Sequence, residues 1–170
     1  MIAYKFLTAG SVAPFSRFAW PLPVAGGPGG WVDGGAVNPC RSGVHACRVE
    51  HLPIWIDREL WQVELEGEVV EQGTMVVAAR GRLLRRVMDW TGTADIEFTR
   101  LSRVRTHKHA SRAAIDMGPI VVEADWAVEH RRPAYAGYVA ARSRMFADGE
   151  HGWDAEREWQ AAWFAERLGL

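Results

Sequence analysis

Lysine is almost missing from this chain: Lys5 and Lys108 are the only two among 170 residues, so nearly all of the positive charge is arginine. Cysteine is equally scarce. Cys40 and Cys47 could form one bridge, but two thiols exclude the disulfide-dense scaffold of a small secreted domain. No long apolar run occurs, because Lys5, Arg17, Asp33 and Arg41 already interrupt the first part of the chain, and a spanning helix needs about 20 mostly apolar residues. A partner within a membrane is therefore not expected. The segment Met1 to Leu7 is too short for the apolar region of a signal peptide and reads as a first strand, which makes cytoplasmic residence the default expectation. Net charge is also slight, at -1, and offers no general attraction to nucleic acid or anionic lipid. Among catalytic signatures, HExxH, the phosphate-binding loop, the dinucleotide fingerprint and the G-x-S-x-G elbow are all lacking.

What the chain does have is tryptophan, nine in all, spread from Trp20 to Trp163. Each indole can remove about 150 to 250 Å² from water, so aromatic packing is expected along the whole length, with a tryptophan-lined ligand pocket as the alternative use. At 48% hydrophobic and 24% charged residues, the composition is that of an ordinary globular chain, and the length fits one domain over residues 1–170.

Patterning predicts an α+β fold, with a strand-rich N-terminal half packed with a helix-rich C-terminal half. A strand is expected at 2–7, followed by a long ordered loop through the Gly26 to Gly30 cluster, held to the body by Phe15, Phe18 and Trp20. A short strand at 44–47 and a brief helix at 49–56 come next. In 60–65 the period of two places Trp61, Val63 and Leu65 on one face, and 74–79 is a further strand. From Arg82 onward the pattern reads as largely helical, although 94–98 also alternates like a strand. A helix is expected from Pro133 to Phe146, a break at 148–152, and a last helix capped by Asp154.

The densest chemical signal is Cys40-Arg41-Ser42-Gly43-Val44-His45-Ala46-Cys47, with His51 four residues later. Two thiolates and an imidazole suit zinc, and His51 or water would complete a four-ligand set, if Gly43 turns the chain back toward Cys40. The plainer alternatives are two small buried thiols with a hydrogen-bonded His45, a Cys40–Cys47 disulfide, or a catalytic thiol. Residues 80–112 hold nine basic and three acidic side chains. Arg100 and Arg103 there are candidates to bind an anionic small molecule or a protein partner, since guanidinium groups match carboxylate and phosphate oxygens; a solvated or ion-paired face is the plainer reading. No nucleic-acid-binding signature accompanies the charge. Glu64, Glu66, Glu68 and Glu71 are clustered carboxylates that could divide acid and base roles.

The Cys40–Cys47 segment, with Leu52, Trp55 and Leu60-Trp61-Gln62-Val63-Glu64-Leu65-Glu66-Gly67, resembles a poorly characterised domain family of actinobacterial and phage proteins, over roughly residues 3–80. That resemblance implies no particular reaction. The order of first strand, G-x-H segment, short helix and following strand is also distantly similar to the start of ADP-ribosyltransferase-like folds. This second likeness implies an NAD-clamping cleft and a late acidic residue.

Overall fold

In the computed structural model, which describes residues 1–170, the chain separates into two compact units, Met1–Thr91 and Gly92–Leu170. The strands β1 (Ile2–Leu7), β2 (Val32–Asp33), β3 (Val44–Ala46), β4 (Glu59–Gln72) and β5 (Met75–Arg86) all lie in the first. A 3₁₀ turn at Val49–His51 and the short helix α1 (Leu52–Trp55) join β3 to β4. The second unit is formed by α2 (Asp95–Ala110), α3 (Gly118–Glu129), α4 (Pro133–Asp148) and α5 (Glu150–Leu168). The α+β class, with strands in the first half and helices in the second, is as the patterning predicts. None of the helices is long and apolar enough to cross a membrane.

The sheet is antiparallel, in the order β1-β4-β5-β2, with β3 also paired to β5. Register shifts between Gln62 and Val63 and between Glu66 and Val69 bend β4, the second at Gly67, whose φ of +84° suits glycine. The curl brings the end of β3 round to β1. There Tyr4 N–H donates to Cys47 O at 2.9 Å and Cys47 N–H to Tyr4 O at 2.8 Å, closing β1-β4-β5-β3 on itself. Trp61, Val63, Leu65, Val76, Ala78 and Leu83 fill the interior together with Ala3 and Leu7. At the 8–31 loop, Trp20 packs into this core as expected. Phe15 and Phe18 do not: they are 87% and 43% exposed.

Strand β5 runs to Arg86, beyond the expected end at residue 79. Its outward arginines obscured the alternation. Arg80 pairs with Glu66 and Arg82 with Glu64, each at 2.7 Å across the ladder, and both guanidiniums lie over Trp31. Residues 95–98 are helical, not extended. Asp154 does not cap α5, which starts at Glu150; Gly149, with φ of +86°, makes the break. Gly152 lies inside α5 because a Cβ there would come within 2.5 Å of Arg144 O on α4.

The helical unit is unusual in what it buries. Thr99, Ser102, Thr106 and His109 of α2 are buried, as are Glu156 and Gln160 of α5. Glu156 accepts from Arg105 Nε at 2.5 Å, Arg105 Nη2 at 2.6 Å and His109 Nε2 at 3.2 Å, and Arg144 lies 3.6 Å away. The plane of Arg105 also covers Trp159, 3.7 Å from the ring centre. Burial alone would raise the Glu156 pKa, but hydrogen bonds and charge from Arg105 and His109 outweigh it and hold the carboxyl below its ordinary value.

Candidate functional site

Within the first unit, β1, β3 and the 8–31 loop border a cleft of about 790 Å³. Its walls include Phe15, Phe18, Trp20 and Trp55, and the cleft reaches Lys5 and Cys47. Lys5 is set by strand alternation. Ala3 and Leu7, two residues to either side, belong to the interior cluster, and in register Lys5 faces Trp61 on β4. A charged side chain thus enters an otherwise apolar row. Its Nζ donates to His45 O at 2.5 Å and lies 5.5 Å from the centre of the Trp20 ring. Burial is the main cause that lowers the Lys5 pKa to about 8, with the nearby Cys47 opposing.

The Cys40–Cys47 segment folds around His45. With the Nδ1–H tautomer, His45 donates to Gly43 O at 3.1 Å and accepts Cys40 N–H at Nε2, also at 3.1 Å. Both ring nitrogens are then occupied. Burial chiefly lowers the His45 pKa, so the ring stays neutral near pH 7. Gly43 makes the turn at φ of +102°, where a Cβ would sit 2.6 Å from Val77 Cγ1. The expected bend at Gly43 is therefore present. What it positions is a hydrogen-bonded loop: no group of three or more His, Cys, Asp or Glu side chains is arranged to hold a metal ion.

Cys40, His45 and Cys47 all line the cleft, whereas His51 lies in the 3₁₀ turn and outside its lining. Both cysteines are free, so the disulfide alternative is not realised; Cys40 is exposed and Cys47 buried. Burial pushes the Cys47 thiol up to about 12, with Lys5 acting in the opposite direction. The zinc reading of Cys40, His45, Cys47 and His51 draws no support from this geometry, since His45 has no free lone pair and Cys47 resists becoming a thiolate.

The basic stretch is largely neutralised where it stands. Besides Arg80 and Arg82, Arg103 pairs with Asp125, Arg105 with Glu156 and Arg112 with Asp148. Arg100 borders a separate cavity of about 110 Å³, together with Asp95 and Arg131. Three of the four clustered carboxylates are likewise engaged, Glu64 and Glu66 in the cross-strand pairs and Glu71 with Arg48 at 2.5 Å, while Glu68 is exposed. Glu59 is buried, and accepts from Gly10 N at 3.1 Å, Ser11 Oγ at 2.8 Å and Trp61 Nε1 at 3.1 Å, which ties the start of the 8–31 loop to β4.

Sequence reasoning passed over Lys5. The signal was a single charge inside Ile2-Ala3-Tyr4-Lys5-Phe6-Leu7, in a chain with only one other lysine. No family model, curated protein or solved structure matches this chain. The chemistry of the cleft therefore has to come from its own residues.

Proposed function

We propose that the first unit binds a small molecule with an aromatic or other apolar body and an anionic group, the anion seated against Lys5. The observation that carries this reading is a desolvated amine opening onto an aromatic-walled cleft. Ligand sites of roughly 300 to 1,000 Å³, mostly apolar with a few placed polar groups, are the usual form of small-molecule pockets, and a volume of about 790 Å³ falls in that range. An ammonium has three donors, and Lys5 gives one to His45 O. The remaining N–H groups suit a carboxylate, sulfonate or phosphate. The exposed rings of Phe15 and Phe18 at the cleft supply apolar surface for the rest of the ligand. This reading places the anion at Lys5 in preference to Arg100 and Arg103, because Arg103 already has a carboxylate partner and Arg100 borders a cavity of only about 110 Å³.

The test uses 8-anilinonaphthalene-1-sulfonate, an anionic aromatic fluorophore. The native chain is expected to bind one equivalent saturably. Lys5→Met should weaken binding by about tenfold, the loss of one charge-assisted hydrogen bond. Phe15→Ala, at a side chain 87% exposed and outside the core, should weaken it severalfold without lowering stability. Absence of saturable binding, or affinity unchanged in both variants, overturns the reading.

A further inference from the structure

We propose that Lys5 captures aldehyde ligands covalently, as a reversible imine formed inside the aromatic cleft. The inference rests on the binding reading above and adds a bond-forming step to it. The other nucleophiles that line the cleft are less suited. His45 has both ring nitrogens engaged, and Cys47 is held as the neutral thiol by burial. Cys40 is exposed, on backbone with φ of +66°. Lys5 alone joins a nucleophilic atom to an apolar, partly water-excluded setting, the environment that activates Schiff-base lysines. With its pKa near 8, about a tenth of Lys5 is free amine at pH 7, roughly three-hundredfold more than for an ordinary lysine.

The step balances without an oxidant or reductant. The Nζ lone pair bonds to the carbonyl carbon, and the C=O π pair moves to oxygen, which takes a proton to give a carbinolamine. Nitrogen loses its extra proton to solvent; the hydroxyl then takes a second proton from solvent and departs as water while the nitrogen lone pair forms the C=N bond, giving the protonated imine. When the imine is protonated, its N–H can keep His45 O as acceptor, so the hydrogen bond of the resting amine carries over to the product. The aromatic walls favour an aryl aldehyde, and the anionic group of the binding reading would then occupy the outer cleft, where Arg41 contributes to the lining.

The chain contains its own controls, because its other primary amines are Lys108, exposed on α2, and the amino group of Met1, which donates to Leu65 O at 2.8 Å. The full chain is incubated at pH 7 with 4-carboxybenzaldehyde and sodium cyanoborohydride, which traps imines as stable amines, and the adducts are mapped by peptide mass. Lys5 is expected to be modified at least about tenfold faster than Lys108, and excess 8-anilinonaphthalene-1-sulfonate should suppress that selectivity. Equal modification of the two lysines, or labelling only at Lys108 or Met1, overturns the covalent step. If the fluorophore still binds in a Lys5-dependent way, the binding reading survives that outcome. If it does not, both fall.

Discussion

Replacing Glu156 by alanine removes the carboxylate that pairs with Arg105 and His109 inside the helical unit and lies beside Arg144, which keeps Asp148 as a second partner. Breaking a buried ion pair by deleting one partner typically costs about 3–5 kcal/mol, mostly because the remaining charge is stranded. The side chains of Arg105 and Arg144 are 20% and 26% exposed, so each can recover some hydration, and Arg144 keeps Asp148, which places the expected loss near the lower limit, about 3 kcal/mol. For a cooperative unit of this size, about 4–8 °C per kcal/mol translates that into a fall in Tm of roughly 12–24 °C. Glu156→Gln keeps the volume and accepts hydrogen bonds without charge, and should lose about half as much. Thermal unfolding followed by circular dichroism at 222 nm reports on these helices directly.

The pH dependence supplies an independent check. Because the folded pKa of Glu156 is depressed, its stabilisation is complete above the unfolded value of about 4.3 and fades as pH falls through the folded value. The gap in Tm between the parent and Glu156→Gln should therefore be full at pH 6 and narrow below about pH 4. An alanine variant that melts within about 2 °C of the parent at pH 6 would refute the claim that this carboxylate holds the helices together.

Two further outcomes follow from close contacts and from burial. Gly152→Ala pushes a methyl group against the α4 backbone at Arg144 and should cost about 1–3 kcal/mol, read from a urea midpoint; a neutral result contradicts the tight α4–α5 approach. Lys5 has a lowered folded pKa, so the unfolded chain holds its proton more tightly and the contribution of Lys5 to stability should rise between about pH 8 and pH 10.5, while the raised Cys47 thiol works the other way above about pH 9. That rise should vanish in Lys5→Met, and its persistence in the variant would assign it to another group.

Much of the fold was legible in residue order. The opening strand, the Trp61-Val63-Leu65 face and the helix from Pro133 follow from period and from proline position. The end of β5 was obscured because Arg80 and Arg82 look like a charged helix face until the register sets them opposite Glu66 and Glu64. Helix α2 carries buried Thr99, Ser102, Thr106 and His109 on its packed side, so an apolar periodicity cannot reveal which side faces inward. At the site, Cys40, His45 and Cys47 stood out through their chemistry, and all three do border the cleft. Their roles depend on which atoms they meet, and only the folded loop shows His45 joined to Cys40 N–H and Gly43 O. Lys5 was hidden for a related reason. A lysine near the start of a chain reads as surface until closure of the sheet through Tyr4 and Cys47 brings His45 O over its amine.

With two lysines in the chain, the side-chain resonances of Lys5 and Lys108 can be followed individually by NMR during a pH titration. The burial that sets up the cleft predicts a Lys5 midpoint at about 8, moving upward when 8-anilinonaphthalene-1-sulfonate is bound, because a neighbouring anion favours the ammonium. A Lys5 that titrates with the ordinary lysine value near 10.4, and does so unchanged in the presence of the fluorophore, would contradict both the desolvated amine and the anion placed beside it.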